Sequence, residues 1–419
     1  MRKKLKNEIG ITLIALVITI IVLLILAGLA ISMLSGKNGI LKKAAEAKTK
    51  TEQAQTNEEE DLTDLEDLIY DNVESVKNLK DYVGKKVEGR KVRLQDENGE
   101  IIVVPVGFTI KSDSPIEVKK GVVVVAPDNS EFVWIPVKDI SKMYGINAEK
   151  NKLGKIYEFT ASEYTALNWT ETDGIMNLTN KDSYREPDYL KDKSNGDAVI
   201  GDSTKGVELL KSIVGLKEED GDIITQWKTN LQNEFDNMIK YVAKNKGFYV
   251  GRYETSLNSK KIAQSISGVA SATTASNSAN TWYGLYQKEK EYSIKNNLTN
   301  IVVSSMIWGS QYDQMMMWMQ GNGIDVTSTT PKNLEGVTTS KNTTRKTGTV
   351  ETDKVDNIYD LLGNSHEWTL EVGCYASTRV TRGGDYYGSA SLSSRINTGG
   401  PHWNNSSRVP SSRITLYVK

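Results

Sequence analysis

Scarcity narrows the chemistry open to this 419-residue chain before any motif does. Cys374 is its one cysteine, so neither an intrachain disulfide nor a thiolate metal cluster is available. His366 and His402 are its two histidines, too few for an all-histidine zinc site. His366 adjoins Glu367, a pair of the kind used in acid–base chemistry, but neighbours on an extended turn point apart. Cys374 has no sequence neighbour that would generate a thiolate and reads as a small, half-buried residue. The 52 basic and 53 acidic residues balance to a net charge of −1, which gives no pull toward nucleic acid. The one short basic stretch beyond the N-terminus, 85–93, reads as a solvated linker face.

The C-terminal composition favours contact over catalysis. No lysine occurs between Lys354 and Lys419, and 372–418 also lacks Glu, Gln and Met. Ser, Tyr, Asn, Gly, Thr and five arginines fill that stretch. Such a mixture suits a binding surface: aromatics give contact area at low entropic cost, and small polar residues adapt their hydrogen bonds. Asp385, Tyr386, Tyr387, Asn397, His402, Trp403, Asn404 and Asn405, within a window 380–415, are the expected ligand contacts. Arg382, Arg395 and Arg413 are assigned to the framework.

The elements that must position these residues form two parts. Residues 1–10 carry Arg2, Lys3, Lys4 and Lys6, and 11–34 is apolar except for Thr12, Thr19 and Ser32. Those 24 residues suffice for a helix across about 30 Å of hydrocarbon, with the basic flank on the cytoplasmic side. A helical stalk and linker is expected over 35–99. From 100 the pattern predicts α+β, with short strands bounded by Gly, Asn, Asp and Pro, long loops and two main helices. One helix carries the stripe Ile224, Trp227, Leu231, Phe235, Met238, Ile239 and Val242 and ends at Gly247. The other starts from Ser310 as N-cap, and its Met315–Met319 run reads as core. The polar stretches 145–222, 262–280 and 325–354 read as insertions and surface loops.

Two resemblances fit this division. KNEIGITLIALVITIIVLLILA resembles a type IV prepilin leader, which implies cleavage by a prepilin peptidase between Gly10 and Ile11 and methylation of the new amine. Ala15 stands where that family has Glu; a plain signal-anchor helix is the alternative. FVWIPV at 132–137, GFYVGRYE at 247–254, GNSHEW at 363–368 and RVTRGG at 379–384 resemble, in order, the formylglycine-generating enzyme family. The resemblance implies a C-type-lectin-like domain over 100–419. Catalytic members bind copper through a cysteine pair after the RGG element, and 385–395 has no cysteine, so no enzyme activity is expected. Some members hold calcium at the GNxWEW turn, which would make Asn364 and Glu367 calcium ligands or, equally, hydrogen-bonding residues of that turn. The window is also similar to the variable regions of proteins diversified by retroelements; a serine-rich β surface is the bland alternative. Together these imply a pilin-like binding protein displayed at the cell surface, with a protein or glycan as ligand and with other pilins as further partners. The rivals are a structural pilus or pseudopilus subunit and a non-copper enzyme of the lectin-fold family.

Overall fold

The computed structural model describes residues 16–24, 43, 48, 51, 76–140, 143, 203–273, 281–326, 344–373, 379–385, 392, 395–398 and 410–419, with the backbone of five short strands between 146 and 184. Two compact units divide the chain, Met1–Ser75 and Val76–Lys419. In the first, 16–24 is helical, and its large apolar side chains are 47–67% exposed. A helix apolar all round suits lipid or a bundle of other helices. Among the described residues no helix is long and apolar enough to cross a membrane; the leader 1–10, with Gly10, and the remainder of 11–34, with Ile11, lie outside them.

The second unit is α+β and starts earlier than expected. Strands β1 (Lys77–Asn78), β2 (Val92–Gln95) and β3 (Ile101–Val104) form a sheet, parallel between β1 and β2 and antiparallel between β2 and β3. Leu79, Val87 and Leu94 are fully or almost fully buried beneath it. The expected linker 35–99 is therefore corrected: 76–99 belongs to the domain. Charged neighbours mask the inward-facing Val87 and Val92 in the sequence.

A six-stranded sheet forms the centre. Its order is β8 (Val302–Met306), β13 (Ile414–Val418), β7 (Gly247–Gly251), β6 (Glu131–Pro136), β5 (Val123–Val125) and β4 (Thr109–Ile110), antiparallel at each step. Strand alternation splits its side chains between two cores. Phe132, Trp134, Tyr249, Ile414, Leu416 and Val418 pack toward the three-stranded sheet. Val133, Ile135, Phe248, Val250 and Tyr417 pack toward the helices. With both faces covered, these strands need near-continuous apolar runs, which the sequence supplies.

Helix α1 (Ile223–Asn245) buries the expected stripe except Ile224, which is half-buried. Asp222 caps it by accepting from the Thr225 amide at 2.8 Å. It ends on Lys246 in the left-handed region (φ 61°), one residue before the expected glycine. Gly247 is instead the first residue of β7, where a Cβ would run into the Trp134 ring and the Ile135 carbonyl. Helix α2 (Trp282–Lys290) was not expected; its apolar face is aromatic, with Trp282 and Tyr286 stacked at 5.5 Å against Trp227. Helix α3 (Gly309–Gly321) begins after Trp308, whose amide donates to Gln311 Oε1 at 3.1 Å, so Ser310 lies inside the first turn and is not the N-cap. Met315, Met316 and Met319 are core. The stretches taken as surface loops are partly interior, since Ala263, Ser265 and Thr347 are fully buried.

Candidate functional site

A second sheet carries the GNSHEW and RVTRGG motifs. Strands β9 (Glu367–Gly373), β10 (Arg379–Arg382) and β11 (Arg395–Thr398) are antiparallel neighbours, β12 (Ser411–Ser412) runs parallel to β9, and Ser183–Tyr184 pairs with its far end. Glu367 lies opposite Arg382, and Trp368 opposite Thr381. Trp368 is 2% exposed and fills the helical core, as expected of it. Gly383, at φ +71°, leaves β10 where a Cβ would run into the Leu361 carbonyl.

Charged groups are buried on these strands. The Arg382 guanidinium donates to Asp313 at 2.8 Å and Glu371 at 3.2 Å, and lies 4.5 Å from the centroid of the Tyr312 ring. Arg379 donates to the Leu370 carbonyl at 3.1 Å and stacks on Trp282 at 4.0 Å. Arg413 Nε reaches both Glu367 oxygens, at 3.0 and 3.1 Å, and its Nη atoms donate to Glu367 and to the carbonyls of Gly251 and Tyr359. All three guanidiniums are fully buried, and a guanidinium stays charged. Such pairs are costly to break: losing one partner strands the other charge at about 3–5 kcal/mol.

Carboxyls crowd the same region. Glu254 accepts from Asn364 Nδ2 at 2.5 Å, from the Ser365 amide at 3.0 Å and from Ser271. Burial, reinforced by the charges of Asp360 and Glu367, pushes its pKa well above the carboxylate range. Glu289 accepts from the Ser412 hydroxyl at 2.6 Å and from Thr255, while its other oxygen is buried without a partner. Burial lifts Glu289 to about 8 against those hydrogen bonds, so it holds its proton at neutral pH. Burial likewise raises Asp353, paired with Arg345 at 2.5 Å, to about 6.

These contacts sort the expected site residues. Asn364 Oδ1 accepts from the Arg345 amide at 2.6 Å and its Nδ2 serves Glu254, while Glu367 serves Arg413. A calcium ion on these two side chains would displace an amide and face a guanidinium, so the arrangement does not fit that ion. Among the described residues no group of three acidic or histidine side chains is placed to hold a metal. His366 and Glu367 turn to different partners, Asp385 and Arg413, and do not act as a pair.

Asp385 was expected at the contact surface and is corrected: it is 5% exposed, and its Oδ2 lies 3.1 Å from His366 Nε2. Arg382 and Arg413 are framework residues, as assigned. Asn397 lies on β11 opposite Val380, with its side chain outside the described residues. Tyr386, Tyr387, His402, Trp403, Asn404, Asn405 and Cys374 also lie outside them. Sequence reasoning missed the buried acids Glu254, Glu289 and Asp313, since an isolated acid reads as surface. Its one available signal was the arginines persisting where lysine disappears, because Arg and not Lys forms buried forked pairs. Compared with known proteins, the chain matches no family model, no curated protein and no solved structure.

Proposed function

We propose that this chain is a surface-displayed binding protein of C-type-lectin-like build, tethered by its N-terminal helix, whose ligand contacts lie between Asp385 and Ser411. One observation carries the reading: that segment is bracketed by buried anchors. Arg382 on Asp313 and Glu371, with Asp385 on His366, hold its start, and Arg413 on Glu367 holds its end. A segment fixed at both ends on a charged frame, and between them at β11 and the buried Leu392, leaves its other residues open to replacement, which a recognition surface requires. The Tyr, Asn, Ser and Trp content of 386–409 supplies the contacts, and the same tolerance suits diversification by a retroelement. The exposed apolar helix 16–24 supports insertion in a membrane or packing with other pilins after cleavage by a prepilin peptidase.

The test is attachment of full-length protein to a panel of cell surfaces, proteins and glycans. Replacing Tyr386, Tyr387, His402 and Trp403 together by Ala should abolish attachment, since each lost aromatic anchor costs about 2 kcal/mol or more. Attachment that persists unchanged would favour the rival, a structural fibre subunit.

A further inference from the structure

The helical turn Tyr292–Lys295 ends in a closed cap. The Leu298 amide donates to the Ser293 carbonyl at 2.7 Å and the Asn297 amide to the Ile294 carbonyl at 3.2 Å, the paired bonds of a Schellman motif. Asn297 stands there in the left-handed region (φ 56°), which Asn tolerates better than most residues and Gly better still. Leu298, 3% exposed, pins the turn to the core, while Asn297 and Thr299 on either side of it are exposed. Among the described residues neither of those two side chains makes a hydrogen bond. The cap accounts for Asn297 but not for a threonine two residues later. Asn297-Leu298-Thr299 is the Asn-x-Thr pattern that accepts N-linked sugars, with no proline at its centre. The same spacing, with Ser or Thr, begins at Asn168, Asn177, Asn342, Asn404 and Asn405, whose side chains lie outside the described residues. Ile294 and Val76 are the large apolar side chains left exposed among the described residues of the second unit, and Ile294 adjoins this turn.

We infer that Asn297 is an acceptor site for an N-linked glycan, an inference that rests on display of this domain outside the cell. The donor is an oligosaccharide joined to a polyprenyl lipid through pyrophosphate, used by an oligosaccharyltransferase. The Asn297 side-chain nitrogen attacks C1 of the first sugar and gives up one proton. The bond from C1 to the pyrophosphate oxygen breaks, and the lipid pyrophosphate leaves with the electron pair. Transfer needs an amide with no competing bond, an exposed hydroxyl two residues on, and a turn open to solvent, and Asn297 with Thr299 supplies all three. Once attached, the apolar C–H face of the first sugar covers Ile294.

The experiment incubates the full chain, folded in mild detergent, with an oligosaccharyltransferase of plain Asn-x-Ser/Thr specificity and a polyprenyl-pyrophosphate-linked oligosaccharide. Trypsin then releases the peptide 296–332, in which Asn297 begins the one acceptor pattern, and its mass should rise by that of the glycan. Asn297→Gly and Thr299→Val should each abolish the rise, and Thr299→Ser should keep it. Asn297→Gly should melt with the unmodified parent, because glycine suits the left-handed position, so its loss of transfer cannot be laid to unfolding. A parent peptide of unchanged mass, or a rise that survives Asn297→Gly, would overturn the proposal. Display has its own readout, cleavage of the chain on intact cells by added protease. A chain modified in the tube but sheltered from that protease would contradict display and leave the acceptor site standing.

Discussion

The two large sheets bury opposite chemistry. Between its two cores the central sheet buries apolar side chains such as Phe132, Trp134, Phe248 and Leu416. The second sheet buries Glu367, Glu371, Arg379 and Arg382, and takes Arg413 from just before β13. An apolar strand can exchange one hydrophobic side chain for another of similar volume at modest cost. A buried ion pair permits no such exchange of one partner alone. The central sheet thus tolerates exchange within its cores, and the charged sheet fixes where the chain leaves β10 and returns at β12, holding β11 between them.

That difference also explains how much could be read from the sequence. The central strands β6 and β7 were legible because both faces are apolar, β8 because its valines open a short β-branched run, and α1 because its stripe keeps helical spacing. Trp368 and, of the Met315–Met319 run, Met315, Met316, Trp318 and Met319 were assigned correctly to the core on residue type; Met317 is half-buried. The charged sheet was legible only through its motifs. Glu254, Asp313 and Glu371 look like surface residues until the partner arriving from far along the chain is known, and Arg413 lies 46 residues from Glu367. Asp385 was misplaced for the same reason: its partner His366 belongs to another motif. The start of the domain was missed because the inward residues of 76–99 alternate with charges.

Breaking the charged frame should give the largest effect. Arg413→Leu leaves the Glu367 carboxylate buried and unpaired and should cost about 3–5 kcal/mol by denaturant unfolding. Adding Glu367→Leu should recover much of that loss, since an apolar pair carries no desolvation penalty. A single variant costing under about 1 kcal/mol would mean that the pair is not part of the frame.

A smaller effect should appear with pH. Glu289 holds its proton in the fold up to about 8, whereas an ordinary Glu releases it near 4.5. The unfolded chain therefore loses that proton first as pH rises. The contribution is whole below about 4.5, declines between the two values and is gone above about 8. Glu254, raised by burial in the same direction, adds to the decline. Thermal melts should fall as pH rises from 5 to 8, and Glu289→Gln should flatten the slope. A slope unchanged by Glu289→Gln would contradict the neutral carboxyl.

No effect is expected from calcium. With Asn364 committed to Glu254 and Glu367 to Arg413, the melting temperature should match in millimolar calcium and in chelator. A rise with calcium concentration would show that the turn opens to admit the ion.

The most direct measurement is the thermal melt of the quadruple variant of Tyr386, Tyr387, His402 and Trp403 beside that of Arg413→Leu. The frame is predicted to hold the fold whichever residues stand at those four positions. If those four side chains serve contact and not the core, the quadruple variant should melt with the parent chain, since surface substitutions shift stability by less than about 0.5 kcal/mol each, while Arg413→Leu melts far lower. A quadruple variant as unstable as Arg413→Leu would place those four side chains in the core and contradict the account.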